Sequence, residues 1–337
     1  MLYLQLEKED LAVANIKQIA KAAGVSVATV SRVLNHHPYV SDSKRRAVEE
    51  AIERLQYSRN MNAVHLIKGA TRTIGIILPQ INHPYFSQMI EGIAHRALDR
   101  NYQLMLCQTR YNLDEELKVL NMLRNKQIDG VIVCSRSISL NQMETYVPYG
   151  PIVLCEAMHD SPLSSVYLDH YTSFKKAIHY LWDKGHRDIG FTLYRHSSSN
   201  SLRRKQAYMD TLHALGGHPR NDWIVTNQIG ISSGVNLLKW FHGLKEKPSA
   251  LLITGDDLAA GFLIAAHQSG LRVPEDLAII GFDNQPIADV LNITTIDTRL
   301  QEIGSRAFDI AYQQISGEHE GPVTEELGFR LIERGTV

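Results

Sequence analysis

The chain has 337 residues, of which 44% are hydrophobic and 21% charged, and its formal net charge is −1. This length predicts two or three globular units with ordinary cores. Three widely spaced cysteines without a CxxC pair argue against a disulfide framework or a zinc site, and no apolar run approaches the ~20 residues that a membrane span requires.

Residues 1–13 form an N-terminal extension to which we assign no function. The segment begins MLYLQLEKED, which is acidic and has no long apolar stretch, so it is not a signal peptide. We therefore expect a cytoplasmic protein. Its cysteines, Cys107, Cys134 and Cys155, lie in apolar strand-like runs and are predicted to be buried thiols in a reducing compartment.

Residues 16–35 predict two short helices joined by a tight turn. Gly24 supplies the left-handed residue that ends the first helix, and the Ser26 hydroxyl is placed to cap the second. The apolar face of the first helix follows the i, i+3, i+4, i+7 spacing and consists of Ile16, Ile19, Ala20 and Ala23.

The second helix has an apolar side and a small, mostly uncharged side. Val25, Val30, Val33 and Leu34 are predicted to pack inward, whereas Val27, Ala28, Thr29, Ser31 and Arg32 face outward. A helix that begins with small side chains can approach base edges closely, and Arg32 can bond a guanine or a phosphate.

The charge of the chain is unevenly distributed, which favours nucleic-acid binding by the N-terminal part. Residues 14–70 contain nine Lys or Arg and four Asp or Glu, a net charge of +5, which leaves −6 for the rest of the chain. A basic module joined to an acidic body is typical of a DNA-binding protein with a separate sensor domain.

The pattern AGVSxxTVSRVLN resembles the N-terminal helix-turn-helix of the LacI/GalR (lac repressor) family of bacterial transcription regulators. The alternative is an ordinary packed helical hairpin. The resemblance implies a headpiece at residues 14–58 and a homodimer that binds double-stranded operator DNA, with one headpiece on each half-site. It implies DNA contacts by Ser26, Val27, Ala28, Thr29, Ser31, Arg32, Asn35 and Tyr39.

The same resemblance implies a hinge at residues 59–70. In the family this segment becomes a helix on DNA, and a leucine from each subunit wedges into the minor groove. Asn60, Ala63 and Leu66 match the family pattern. Arg59 and Val64 depart from it, standing where a proline and an arginine are usual.

From residue 71 onward, apolar strands alternate with amphipathic helices, which predicts an α/β core with parallel sheets. The predicted strands are 74–78, 104–107, 131–134, 152–155, 189–193, 224–226, 251–254 and 278–282. The core resembles a two-lobed periplasmic-binding-protein-like fold. We expect an N-lobe of about 71–168 and 296–324 and a C-lobe of about 169–295 and 325–337.

A cleft between the lobes is the expected site of a small effector, because open parallel sheets bind ligands at the carboxyl ends of their strands. The resemblance implies effector contacts by Tyr85, Phe86, Glu156, Arg204, Asp256 and Asp283. Acids, an arginine and an aromatic face suit a sugar and are compatible with a nucleoside. Ala207 and Gly255 depart from the family pattern.

Two other functional classes stay open. Residues 230–234 read GISSG and match the G-x-S-x-G element of hydrolases, with Ser232 as the nucleophile. A regulator controlled by a docked phosphocarrier protein is the other alternative, and the sequence offers no test of it. No P-loop, HExxH or GxGxxG occurs, so no cofactor or metal is predicted.

Overall fold

The structure, a computed structural model, describes residues 15–57, 69–158 and 161–337. The chain divides after Gly69 into two units. The extension at 1–13 and the hinge positions Asn60, Ala63 and Leu66 lie outside the described residues.

The described part of the first unit, residues 15–57 and 69, contains the helices α1 Ile16–Ala22, α2 Val27–Leu34 and α3 Asp42–Arg54. Gly24 has φ +64° in the turn between α1 and α2, and the Ser26 hydroxyl accepts the Thr29 N–H, so both predictions are confirmed. The three helices share a small core. Its buried side chains are Ile19, Ala20, Val30, Val33, Val48 and Ala51.

The N-lobe of the second unit is built on a six-stranded parallel sheet in the order β11-β5-β4-β3-β1-β2. Its strands are β1 Thr73–Leu78, β2 Gln103–Gln108, β3 Gly130–Val133, β4 Ile152–Leu154, β5 Ser164–Leu168 and β11 Thr324–Leu327. Its helices are α4 Pro84–Asp99, α5 Leu113–Arg124, α6 Leu140–Glu144 and α12 Leu300–Ser316.

The C-lobe is built on a second six-stranded sheet, in the order β12-β10-β9-β8-β6-β7. Its strands are β6 Ile189–Thr192, β7 Ile224–Val225, β8 Ala250–Leu252, β9 Ala278–Phe282, β10 Thr295–Asp297 and β12 Arg330–Ile332. Its helices are α7 His170–Asp183, α8 Ser199–Ala214, α9 Gly234–Gly243, α10 Asp256–Ser269 and α11 Pro286–Val290. The pair β10 and β12 is antiparallel, which the strand-helix alternation did not predict.

Two crossings between the lobes lie a few residues later than predicted. β10 pairs with β9 and therefore belongs to the C-lobe, so this crossing lies after β10, at residues 298–299. β11 pairs with β5 in the N-lobe, and the last crossing is at 328–329. The predicted boundaries fell inside these strands because short polar strands resemble linkers.

Helices α4 and α12 cross at two glycines. A Cβ atom added to Gly92 would lie 1.9 Å from the Gln301 carbonyl oxygen, and one added to Gly304 would lie 2.1 Å from that of Met89. The backbones can approach this closely only without side chains at those positions. The contact fixes α12, which follows the second crossing, against the N-lobe.

The central strands that end at the cleft are anchored in a buried core. β1, β3 and β9 consist almost entirely of buried residues, as expected for parallel strands covered on both faces. Within the described parts of the chain, no helix has the length and apolar character needed to cross a membrane.

Candidate functional site

The N-terminal end of α2 presents a small, uncharged surface. Ser26 accepts the Thr29 N–H at 3.2 Å, and the two hydroxyl oxygens lie 3.0 Å apart. Val27 is 42% exposed, and Ala28 beside it is exposed as well. Exposed aliphatic side chains at a rigid, capped helix start are suited to contact thymine methyl groups in a major groove.

The other predicted DNA-contacting residues of the headpiece surround this surface. Arg32, Asn35 and Tyr39 are exposed, whereas Thr29 and Ser31 are half-buried. The Asn35 amide donates to the Ser31 carbonyl oxygen at 2.9 Å, which fixes its side chain along α2. The roles of these side chains in DNA binding remain predictions, as do those of Asn60, Ala63 and Leu66, which are outside the described residues.

A cavity of about 360 Å³ lies at the carboxyl ends of the parallel strands of the second unit. Its volume falls within the range of about 300–1,000 Å³ that is usual for small-molecule sites. Loops from both lobes form its wall. The predicted residues that line it are Tyr85, Phe86, Glu156, Arg204 and Asp283.

Arg204 reaches the cavity from the first turns of α8. Its guanidinium carbon lies 4.8 Å from the centre of the Phe282 ring, and Nη2 lies 3.3 Å from Nδ1 of His170. Its Nε is buried and has no hydrogen-bond partner among the described residues. Burial lowers the pKa of Arg204, against the opposing effect of Asp283. A half-buried cation with a buried, unused donor is suited to bind an acceptor on a ligand.

Asp283 follows β9 and is only 6% exposed. Its Oδ1 accepts a hydrogen bond from the Thr298 hydroxyl at 3.1 Å. Burial raises the pKa of the Asp283 carboxyl to about 6, although Arg204 and Thr298 oppose the shift. Because this pKa still lies below 7, the group is mostly ionised at neutral pH and can accept hydrogen bonds from a ligand.

Glu156 follows β4 and has partners on both sides of the cavity. Its Oε1 lies 3.1 Å from Nε of Arg136, a charge contact whose geometry is not that of a hydrogen bond, and Oε2 accepts from the Ser199 hydroxyl at 3.0 Å. The loop that carries Arg136 is held by Glu116, which accepts the backbone N–H of Ser137 at 2.8 Å. Glu156 thus joins the two lobes across the cavity.

The segment from His83 to Phe86 forms the aromatic wall. The His83 side chain accepts the Tyr85 N–H at 3.2 Å and so caps α4. The rings of Tyr85 and Phe86 meet edge to face, with centroids 5.1 Å apart. Burial raises the pKa of Tyr85 well above its usual value, which keeps its hydroxyl protonated as a donor.

Asp256 is not on the cavity wall, and the prediction of its effector contact is corrected. The residue is fully buried, and its carboxylate accepts the Gln285 N–H and the Thr295 hydroxyl, each at 2.7 Å. It therefore ties α10 to the strands beside it. The neighbouring Asp257 lines the cavity in its place.

Several residues that the sequence did not single out also line the cavity. The Arg195 guanidinium carbon lies 3.6 Å from the centre of the Tyr111 ring, and the Tyr111 hydroxyl accepts from Ser135 at 3.3 Å. A serine-rich segment at the start of α8 adds small hydroxyls. Its cavity-lining members are Ser197, Ser198, Ser199, Asn200 and Ser201.

The hydrolase element around Ser232 does not have the geometry of a nucleophile elbow. β7 ends at Val225, whereas Ser232 lies in an exposed 3₁₀ turn, Ile231–Ser233, several residues later. A nucleophile elbow places the serine directly between a strand and a helix. The described residues also contain no group of three or more His, Cys, Asp or Glu that could hold a metal ion.

Comparisons with known proteins agree with this architecture. Residues 15–60 match the model of bacterial regulatory proteins of the lacI family. Residues 71–330 match the model of periplasmic binding proteins and the sugar-binding domain of the LacI family. These matches confirm the family resemblance and the predicted fold class.

Relatives and solved structures extend over nearly the whole chain. The uncharacterized HTH-type transcriptional regulator YkvZ of Bacillus subtilis is 41% identical, over 96% of this chain and 100% of its own. Catabolite control protein B of the same organism is 36% identical, over 89% and 94%. The crystal structure of the lac repressor dimer bound to operator and the anti-inducer ONPF is 23% identical, covers 96% of this chain and 98% of that one, and has a TM-score of 0.82.

Proposed function

The chain belongs to the LacI family of DNA-binding transcription regulators, and on that basis we propose that it is a cytoplasmic repressor that binds a pseudo-palindromic operator as a homodimer. Its operator affinity is controlled by a small polyhydroxylated effector, a sugar or a sugar derivative, that binds between the two lobes.

The unpaired charges of the cavity support this class of effector. Arg195, Arg204, Asp257 and Asp283 line the cavity, and none of them has an ion-pair partner within the described segments. A sugar hydroxyl both donates and accepts hydrogen bonds, so vicinal hydroxyls can satisfy an arginine and a carboxylate together. The edge of the aromatic wall at Phe86 suits the apolar face of a sugar ring.

Coupling to DNA would pass through the start of the second unit. Asp129, which precedes β3, accepts hydrogen bonds from the Thr71 N–H at 2.7 Å, the Thr71 hydroxyl at 2.9 Å and the Arg72 N–H at 2.7 Å. The residues that follow the predicted hinge are therefore fastened to the N-lobe sheet. Rotation of that lobe on effector binding would move the hinge, and DNA must in turn alter effector affinity.

Exposed aliphatic side chains support the homodimer. Single exposed aliphatic side chains are ordinary, whereas neighbouring ones at a sheet edge can form an association surface. Leu106 is exposed on the edge strand β2, and the exposed Leu113 begins α5, which packs against β2.

Leu106→Asp is expected to shift the protein from dimer to monomer in sedimentation velocity. Leu106 lies on the edge strand β2 and is 40% exposed, so a charge there would disrupt an interface without disturbing the core. Operator affinity should fall when the dimer is lost, because a single headpiece binds one half-site weakly. Leu202→Asp, at an exposed leucine of α8, is the matched control and should remain dimeric. An unchanged sedimentation profile for Leu106→Asp would place the interface elsewhere.

Effector affinity is expected to fall by roughly tenfold between pH 7 and pH 5, because the effector needs the Asp283 carboxylate and its pKa is about 6. Isothermal titration at a series of pH values measures the change. The raised pKa means that the folded protein binds this proton more tightly than the unfolded chain does, so protonation of Asp283 does not itself favour unfolding. Asp283→Asn should bind weakly and without this dependence; an equal dependence in that variant would assign the proton to another group.

A thermal-shift screen tests the proposed effector class. The purified chain is screened against sugars, sugar phosphates, nucleosides and amino acids, since a specific binder raises the melting temperature by mass action. We expect stabilisation by a sugar or a sugar derivative. Stabilisation by a nucleoside alone would overturn the sugar assignment, and no stabilisation by any compound would favour a protein partner.

A further inference from the structure

Two cysteine side chains lie side by side beneath the aromatic wall of the cavity. Cys134 follows β3 and Cys155 follows β4, and both are buried free thiols. β3 and β4 pair in parallel up to Val133 opposite Leu154, so the next registered pair is Cys134 and Cys155. The Cys155 N–H donates to the Val133 carbonyl oxygen at 2.9 Å, which continues the ladder at this point.

Both thiols lie on the same face of the sheet. Cys134 and Cys155 belong to one core cluster together with Ile132 and Val153, whereas Val133 and Leu154 belong to the cluster on the opposite face. Neighbouring strands are about 4.8 Å apart. That separation falls within the Cα distance of about 4.4–6.8 Å that a disulfide requires.

The two sulfurs differ in their access and in their hydrogen bonding. Cys134 lines the effector cavity, whereas Cys155 lies behind it in a narrow recess with Tyr85 and Glu156. The Cys155 thiol hydrogen-bonds to Cys134, and this bond and burial raise the pKa of Cys155 well above its usual value. Because Cys134 lies on the cavity wall and Cys155 lies behind it, Cys134 is the sulfur that meets a molecule in the cavity.

We propose that Cys134 and Cys155 form a dithiol site that reacts with hydrogen peroxide, a small neutral oxidant, entering through the effector cavity. The Cys134 sulfur attacks one peroxide oxygen, the O–O bond breaks, and a sulfenic acid and one water form. The Cys155 sulfur then attacks the Cys134 sulfur, the S–O bond breaks, and a disulfide and a second water form. Two thiols are oxidised and one hydrogen peroxide is reduced to two waters.

Oxidation of the two thiols would change the proposed effector cavity independently of effector binding. The disulfide would join the ends of β3 and β4 next to Tyr85, at the wall of the cavity. This consequence for effector binding rests on the proposed function, whereas formation of the disulfide does not. The test therefore needs neither effector nor DNA.

The experiment treats the full-length reduced protein with hydrogen peroxide and follows it by intact mass and non-reducing peptide mapping. We expect loss of two hydrogen atoms and a Cys134–Cys155 cross-link that dithiothreitol reverses. Cys107, half-buried on β2, is the internal reference, because it has no thiol neighbour on an adjacent strand at its register position, Ile77. Cys107→Ser should cross-link at the parent rate.

Single variants test the assigned order of the two sulfurs. In Cys155→Ser, Cys134 should stop at a sulfenic acid that dimedone traps, whereas Cys134→Ser should give at least tenfold less adduct at Cys155. Circular dichroism of both variants checks that each is folded. Oxidation of Cys107 alone, with the pair still reduced, would overturn the proposal. Equal dimedone adducts in the two variants would overturn the assignment of Cys134 as the attacked sulfur.

Discussion

Arg204→Met is expected to abolish the effector response while leaving operator affinity within about twofold of the parent. Arg204 is a half-buried arginine on the cavity wall, and its buried Nε has no hydrogen-bond partner among the described residues. A hydrogen bond to a charged group contributes about 1.5–3 kcal/mol, so loss of two such bonds to a ligand should weaken binding by at least about 100-fold. Methionine keeps an unbranched stem that can still pack on Phe282.

The measurement is isothermal titration with the ligand that the thermal-shift screen identifies, together with operator-binding anisotropy. Arg203→Met is the matched control, because Arg203 is the neighbouring arginine of α8 and is exposed. That variant should behave like the parent in both assays. Normal ligand binding by Arg204→Met would show that Arg204 does not contact the ligand. Loss of operator binding with intact ligand binding would also contradict the assignment of Arg204 to effector binding.

Ala28→Glu is expected to lower operator affinity by at least 100-fold and to leave the ligand-induced thermal shift unchanged. Ala28 is exposed in the first turn of α2, where a carboxylate favours the helix, so the headpiece should remain folded. In a DNA groove the same carboxylate would face phosphates and acceptor edges of bases, and its longer side chain would prevent close approach.

Anisotropy with an operator selected from a random duplex library measures this loss. Ser43→Glu adds the same charge to an exposed position in the first turn of α3 and separates a local effect from a general one. We expect the operator affinity of Ser43→Glu to fall by less than tenfold, and this fall to become smaller at high salt. Equal losses in the two variants would show that α2 does not enter the groove.

The headpiece could be predicted from sequence because its signals are local. Gly24 has the positive φ that its turn requires, and Ser26 makes the cap that its position indicated. Capping and turn formation depend on residues within one helical turn, so a short stretch of sequence is enough to predict them. The alternation of strands and helices in the core is equally local, since each element has its own hydrophobic period.

The sequence missed the strand β5. Its residues Ser164 and Ser165 are polar, yet both are almost fully buried. The Ser164 hydroxyl accepts from the Gln314 amide at 2.9 Å and from the Val323 N–H at 3.1 Å. These partners lie about half the chain away in sequence, so no local pattern distinguishes such a strand from a loop.

The cavity was only partly predictable for the same reason. Arg204 and Asp283 were placed on it by family resemblance, and both line it. Asp256 was also named by family resemblance, but two adjacent acids begin α10, and only the three-dimensional packing shows that Asp256 turns inward to Gln285 and that Asp257 lines the cavity. Arg136 and Arg195 were missed, although each follows a predicted strand by two residues, which is a signal that sequence analysis could use.

The coupling of DNA binding to the cavity is tested most directly by operator-binding isotherms. Anisotropy of the selected operator is measured with the parent and with Arg204→Met, each without ligand and with the ligand saturating for the parent. We predict that the ligand changes parent affinity by about 5- to 150-fold, the usual range of such coupling, and does not change that of the variant. An isotherm that ligand leaves unchanged in the parent, or shifts equally in both proteins, would contradict control of DNA binding from this cavity.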